Sequence, residues 1–414
     1  MGLIALIIAF EYTGFYMLQS VFGIDEGGLG LRIFSIVFFA LAMLTFLFKS
    51  ERKHKDWWYL VIIAGFLGLF AYTRVKFGYL NEAYMGMLLS FGVRGVPAVI
   101  AGILVAKNES YFSKMQKWLQ VLMIFYTIGC GIVIFTSTES QYLQYKFSAG
   151  GINYQTLSYS AAFAFNMNLY LILFWDKVSK FKMFNNNFWK TINVALLLFQ
   201  IYCMFSGGGR GAVVNITVVS IFLMYVKNRC IIDVKAVFAA VFVVIVVFGV
   251  IYFFAEKTGN VGATRIVDFF TATERVLENE RTQLRREAMH VFTNNPIVGH
   301  GIGSVFYLMG GYSHNIFTDI LVEGGVVLLF IAVYIFGKCF LKLKSLIQLN
   351  INNTMISMIF FSSFTMLQMS GYFLNDGGIW FGGAYLLYAL SEIQDEMNNN
   401  RIKMLEEYQK KRIK

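Results

Sequence analysis

Apolar runs of roughly twenty residues recur along the whole chain, separated by short polar pieces. Runs of that length suit helices crossing a bilayer core of about 30 Å. In hydrocarbon every backbone polar group must be satisfied within the protein, so helices follow rather than open sheets. The pattern predicts twelve spans, at about 3–22, 31–48, 57–73, 84–105, 118–137, 157–175, 190–206, 211–226, 236–255, 316–337, 354–373 and 377–391. The expected fold class is an all-α polytopic membrane protein with about 12 transmembrane helices. Residues 1–391 are expected to form one transmembrane domain and 392–414 a cytoplasmic tail. Met1–Phe10 lacks the charged start and small-residue cleavage site of a signal peptide and reads as the opening of the first span.

Charge adds an orientation. Only 14% of the 414 residues are charged, against about 25% in soluble chains, so no soluble domain is expected. Alternate connections hold 23 of the 35 basic residues, and the positive-inside rule makes those connections and both termini cytoplasmic. The net charge of +11 then predicts contact with membrane lipids through anionic headgroups, not with nucleic acid. Lys supplies nineteen of the inner 23, whereas Arg supplies nine of the other twelve. A cation of either kind serves topology, but the planar fork of Arg suits bidentate phosphate or carboxylate binding. An Arg-rich outer face therefore suggests a phosphorylated or acidic ligand. The competing explanation is pairing with Glu256, Asp268, Glu274, Glu278, Glu280 and Glu287. Cys130, Cys203, Cys230 and Cys339 are scattered without a CxxC pattern, so neither a disulfide framework nor a zinc site is expected.

One connection stands out. Residues 256–315 form a large outer loop between the ninth and tenth spans, and long loops are usually functional. A capping box at Thr271–Glu274 and a stop at Asn294-Asn295-Pro296 bracket a short helix. Leu277, Leu284, Ala288 and Val291 give it an apolar stripe, while Arg281 and Arg285 lie four apart on another face. Such a helix lies on the membrane surface or lines a site. The run Gly299-His300-Gly301-Ile302-Gly303 lacks the βαβ setting of a dinucleotide fingerprint; it suits a tight turn or close backbone approach to a ligand. His314 precedes the tenth span directly. It is either a structural residue or a general base, its ordinary pKa near 6.5 suiting proton removal. Arg94, about ten residues inside the fourth span, is costly at that depth and therefore either ion-paired with Glu11, Glu82 or Glu323, or in contact with substrate. Tyr142, Tyr145, Tyr154 and Tyr312 sit at outer edges, as sugar-stacking groups or as an ordinary interfacial belt.

Three stretches, read together, resemble the O-antigen polymerase and O-antigen ligase family of bacterial envelope glycosyltransferases. Phe205-Ser-Gly-Gly-Gly-Arg210-Gly-Ala212 looks like the family's Ser-Arg-Gly-Ala turn, with glycines before the Arg. Arg281, Arg285, Asn295-Pro296 and the glycine run are similar to its Arg-to-Trp helix, with Arg285 where the family often has Trp. Ser313-His314-Asn315 and Leu321-Val322-Glu323-Gly324-Gly325 look like its His-Asn and Glu-Gly-x-x-Gly entry to a span. The resemblance covers roughly residues 200–330.

The resemblance implies a GT-C-like membrane fold in a bacterial inner membrane, with the active site on the periplasmic face. It implies no metal and no cofactor. The donor would be an undecaprenyl-diphosphate-linked oligosaccharide. His314 would be the catalytic base, and Arg210, Arg281, Arg285 and Arg94 would bind diphosphate or substrate. Asp319 or Glu323 would orient the histidine or an arginine. Arg210 has an interfacial, headgroup-snorkelling role as its alternative. Two reactions share these motifs: repeat-unit polymerisation, and ligation of the glycan to lipid A core. The moderate outer loop and the Arg at 285 favour the polymerase; a chain-length regulator is left open as a partner. Twelve spans also suit a polysaccharide flippase, although a transporter has little use for a loop rich in Arg and His.

Overall fold

The computed structural model describes residues 90–137, 146–147, 152–228 and 280–391, with 71–76 and isolated positions at 5, 37, 40, 44, 64–65, 68, 249, 252–253, 256–257, 264 and 267. Apart from those isolated positions, the expected spans 3–22, 31–48 and 236–255, most of 57–73, the tail, and the capping box at Thr271–Glu274 lie outside the described residues. The described chain is helical apart from a two-residue antiparallel ladder pairing Lys146–Phe147 with Ile152–Asn153. A π-helical turn, Phe91–Gly95, leads into α1 (Val96–Lys107). Then come α2 (Glu109–Thr136), α3 (Tyr154–Leu173), α4 (Asn187–Gly207), α5 (Arg210–Lys227), α6 (Glu280–Thr293), α7 (Ser304–Leu308), α8 (Ile316–Leu349) and α9 (Asn353–Leu367). Residues 377–391 are helical as well. Among the described residues, α2, α4, α5 and α8 are long and apolar enough to cross a membrane.

Local signals set the ends. The Asn108 and Asn186 side chains accept from Ser110 N–H and Trp189 N–H, opening α2 and α4. Gly208 takes the left-handed conformation that ends α4 (φ 74°), and α5 begins two residues later. Asp376 Oδ1 accepts from Ile379 N–H at 2.8 Å and starts the last helix.

At the centre lies α3, packed on α2, α4, α5 and α9. Its buried Ser158, Ser160, Ala161, Ala162 and Ala164 let neighbours approach closely. Its amides then join helices that lipid alone would not drive together. Asn166 donates to Asn215 Oδ1 on α5 (2.7 Å), and Asn215 donates to Ser362 O on α9 (2.6 Å). Asn168 donates to Asn193 O and Gln200 Oε1 on α4, and Gln200 donates to Thr127 Oγ1 on α2. These residues explain why α3 is buried rather than lipid-facing.

The long helix α8 is broken. Gly325 has φ 60° and ψ −161°, outside the helical region. An unbroken helix would pair Val326 N–H with Val322 O and Val327 N–H with Glu323 O. Here the loop after α6 comes between. His300 N–H and Gly301 N–H donate to Val322 O (2.9 Å) and Glu323 O (2.7 Å). Val326 N–H and Val327 N–H donate to Pro296 O (2.9 Å) and Ile297 O (3.2 Å). All four groups are satisfied, as a break in an apolar helix requires. The close approach expected of the glycine run is therefore to the α8 backbone. A Cβ on Gly299 would overlap the Glu323 carbonyl, and one on Gly325 would overlap the Pro296 and Ile297 carbonyls.

The second difference is at 354–373, expected as one span. The helix stops at Leu367, and a turn at 368–371 precedes a 3-10 turn at Phe373–Asn375. Gly371, at φ 87°, reverses the chain there.

Gly325→Ala should therefore lower stability by at least about 2 kcal/mol, since both its backbone conformation and its space exclude a Cβ. Gly311→Ala, with open space around it, should not. Thermal unfolding of the two variants in detergent makes the comparison; equal midpoints would refute the backbone exchange at the break.

Candidate active site

The turn at 368–371 gathers segments that are far apart in sequence. From α6, Arg281 Nη1 donates to Met369 O at 2.8 Å. One helical turn on, Arg285 Nη2 donates to Gln368 O (3.2 Å) and His314 O (3.4 Å). Asn315 Nδ2 reaches Gln368 Oε1 (3.3 Å). From the start of α3, Gln155 Oε1 accepts from Ser370 Oγ (2.8 Å). Gly371 N–H bonds to the Tyr312 hydroxyl.

The Arg210 turn reaches the same place by close packing. Gly209 N–H donates to Ser158 Oγ at 2.9 Å. A Cβ on Gly211 would overlap the Tyr159 hydroxyl and crowd Met369. Arg210 is half-buried at the first position of α5. The glycines around it thus seat the turn on α3 and on the 368–371 turn.

Arg281 and Arg285 are half-buried, whereas Arg286 is exposed. Ala288 on the same helix is fully buried and Leu284 and Val291 partly so, because α6 packs against α8. That packing turns the two arginines inward. Burial and the neighbouring Arg281 charge lower the Arg285 pKa, which the Asp319 charge partly offsets. The hydrogen-bond partners of both guanidinium groups are neutral carbonyls.

His314 has φ +59°, the left-handed region that a residue with a Cβ occupies at a cost of about 1–2 kcal/mol. It is the sole non-glycine residue there among the described residues. Tyr312, expected at an interfacial belt or a sugar face, packs edge-on against the imidazole at 4.5 Å between centroids. The His314 Nδ1 atom is buried without a hydrogen-bond partner. Burial and the charges of Arg281 and Arg285 lower its pKa from 6.5 to about 4. The imidazole is therefore neutral near pH 7.

The two acidic residues act on different neighbours. Asp319 Oδ1 accepts from Ser313 N–H at 2.8 Å. Glu323 Oε1 accepts from Tyr372 Oη at 2.5 Å, and Gly303 N–H bonds to the same carboxylate. Tyr372 then packs on Phe306 and Tyr312. Neither carboxylate bonds the His314 ring.

Arg94 lies on a different element. It is buried in the π-helical turn, whose Gly95 lies against Leu374 O, beyond the 368–371 turn. Of its three expected acidic partners, Glu11 and Glu82 lie outside the described residues. His300 belongs to the loop at the helix break, with Nε2 3.0 Å from Val291 O.

Residues 195–333 match the family model described as O-antigen ligase. The matched stretch is consistent with the O-antigen polymerase and ligase family. That stretch holds Arg210, Arg281, Arg285, His314, Asp319 and Glu323, but neither Arg94 nor the 368–371 turn. No curated protein and no solved structure matches the chain. Members of this family are glycosyltransferase-like enzymes of the ligase and polymerase type, and membrane proteins.

Sequence reading missed the turn. Gln368, Ser370 and Gly371 were absorbed into a presumed span. Their signal was a polar Gln-Met-Ser-Gly run at the end of an otherwise apolar stretch.

Histidine NMR can test the electrostatics directly. The His314 signal, assigned by its loss in His314→Gln, should titrate near 4 in the ligand-free protein. Titration at 6 or above would mean that the arginines do not bear on the ring.

Proposed function

We propose that the chain transfers a glycan from a polyprenyl-diphosphate donor to a sugar hydroxyl of a lipid-linked repeat unit, as a polysaccharide polymerase. The observation that carries this reading is the arginine pair: Arg281 and Arg285 lie together, half-buried, on neutral carbonyls beside a neutral histidine. Holding like charges together is unfavourable, and among the described residues Asp319 offsets the Arg285 charge only in part. A diphosphate supplies the counter-charge, and it does so most strongly as the leaving group gains charge in the transition state.

His314 takes the acceptor proton in this reading, and Arg210 extends the cationic wall. Attack by the hydroxyl opposite the departing diphosphate inverts the anomeric centre. The arginines also act on the base. Burial and the arginine charges together keep the imidazole weakly basic, and a diphosphate that neutralised the arginines would relieve the second of these. Arg94 is assigned to diphosphate or substrate binding. No metal is needed where arginines meet the diphosphate. The GT-C-like fold, the count of about twelve spans, an undecaprenyl carrier and an outward-facing site in a bacterial inner membrane belong to this reading.

The family description favours a second reading, transfer to lipid A core by the same chemistry. The deciding experiment incubates purified protein with the lipid-linked repeat unit extracted from its host. A ladder of products from the repeat unit alone is the polymerase outcome. Transfer only after addition of lipid A core is the ligase outcome, and no transfer in either case removes the glycosyltransferase assignment.

Two further outcomes are expected in that assay. Arg281→Lys and Arg210→Lys keep charge but lose the fork, and each should lower turnover by roughly tenfold or more at matched expression. Wild-type turnover in both would show that a point charge suffices. Activity should also survive EDTA; loss on chelation with rescue by Mg²⁺ or Mn²⁺ would end the metal-free mechanism.

A further inference from the structure

We propose that Asp319 is a positioning residue for His314, acting through the backbone N–H of Ser313 rather than on the imidazole. The inference rests on the reading of His314 as the base and adds how that base is aimed.

A histidine that acts as a base is ordinarily aimed by a hydrogen bond to its other ring nitrogen. His314 has no such partner among the described residues: Nδ1 is buried and unbonded. The Tyr312 ring constrains the imidazole from one side only, by edge contact. The direction of the side chain is therefore set by the backbone from which it projects.

That backbone is held in an unfavourable state. A left-handed residue with a Cβ persists only where its surroundings over-determine it. The preceding segment, Gly310-Gly311, offers no constraint, since neither glycine has a neighbour where a Cβ would stand. The constraint comes from the residues on either side of His314. After it, Asn315 caps α8, accepting from Phe317 N–H (3.1 Å) and Thr318 N–H (3.2 Å). Before it, the Ser313 amide is held by Asp319 Oδ1. With Asn315 fixed by the helix and Ser313 fixed by Asp319, the residue between them has little freedom in φ.

Asp319 is well placed for this. It lies one turn inside α8, is fully buried, and its own N–H bonds to Asn315 O (3.0 Å). The same side of the first half of α8 carries Glu323, which holds Tyr372 in the aromatic group beside His314. The groups facing His314 are then Arg281 and Arg285 from α6 and Tyr312 from its own segment. Asp319 also interacts with the Arg285 charge. The test must therefore separate a backbone acceptor from a counter-charge. Asn keeps an oxygen acceptor and loses the charge; Ala loses both.

Asp319→Asn, Asp319→Ala and His314→Ala, and each Asp319 variant combined with His314→Ala, are compared in the repeat-unit transfer assay at matched expression. A positioned base contributes roughly 10²–10⁴-fold, so Asp319→Ala should approach the loss in His314→Ala, with KM for the lipid-linked donor little changed. Asp319→Asn should recover most of the rate. In the His314→Ala background, Asp319→Ala should cost nothing further, because its effect passes through the missing group. Equal losses in the Asn and Ala variants would overturn the proposal in favour of a counter-charge for Arg285. A further loss in the His314→Ala background would overturn it in favour of a broader folding role.

A backbone readout keeps the proposal testable without activity. The Cα and Cβ chemical shifts of His314 report its left-handed conformation, and they should move in Asp319→Ala but not in Asp319→Asn. Unchanged shifts in Asp319→Ala would refute positioning whatever the enzyme does. A silent His314→Ala with shifts that do respond would instead remove the base assignment and leave the backbone clamp standing.

Discussion

Two carbonyls and two amides at the break in α8 determine where the candidate site lies. An intact helix would pair Val326 and Val327 with Val322 and Glu323; the loop at 296–301 takes all four places. The exchange pins the loop to the first part of α8, Ile316–Gly324, only nine residues long, or about 14 Å. The chain from Gly301 to Ile316 is then a closed excursion that leaves from one end of this half-helix and returns at the other. His314 sits near its close. The glycines make the exchange sterically feasible, and the side chains of the half-helix, Asp319 and Glu323, fill the interior of the excursion. Fixing the break therefore fixes the neighbourhood of the histidine without any direct bond to its ring.

The charges at the site follow from how α6 is placed. Ala288 is buried against α8, which rotates Arg281 and Arg285 away from solvent and leaves Arg286 outside. Backbone carbonyls of the 368–371 turn receive the two guanidinium groups. A carbonyl orients a guanidinium but does not cancel its charge. A carboxylate in that position would cancel it, whereas Asp319 offsets the Arg285 charge only in part. The choice of neutral acceptors thus separates orientation from neutralisation. His314 registers the remaining charge through its lowered pKa.

Most of the described helices overlap an expected apolar run, although α2 begins at Glu109 rather than 118 and α8 continues to Leu349 rather than 337. The starts of α5, α8 and the last helix fall within a residue of expectation, marked by Gly-Arg, Asn315 and Asp376. The stop of α6 at Thr293 was readable from Asn294-Asn295-Pro296. The break at Gly325 was not, because Gly-Gly within an apolar helix is common and the loop that satisfies it lies over twenty residues upstream. For the site, motif order brought Arg210, Arg281, Arg285 and His314 together as candidates, and the structure places the last three within one hydrogen-bonded group. The acceptors of the arginines escaped notice because they are main-chain oxygens, which have no side-chain identity to read. Arg94 could not be placed, since depth in a span does not say which neighbour a charge faces.

Unsatisfied polar atoms show where stability has yielded to something else. Native structures leave few buried polar atoms without partners, so their distribution is informative. In the core around α3, Asn166, Asn168 and Asn193 each have one unbonded atom, but another atom of each is tied to a neighbouring helix. Those amides serve packing and tolerate a remainder. Around His314 the unbonded atoms belong to another kind of group, although Arg285, Asp319 and Glu323 also keep one bonded atom each. Arg285 Nε, His314 Nδ1, Asp319 Oδ2 and Glu323 Oε2 are all buried and unbonded, and all belong to ionisable groups. Together with the left-handed His314 backbone, they put several unfavourable features into one small volume. Ionisable groups of this kind lie on the segments that the break in α8 holds in place, which distinguishes this volume from the amide-linked core around α3.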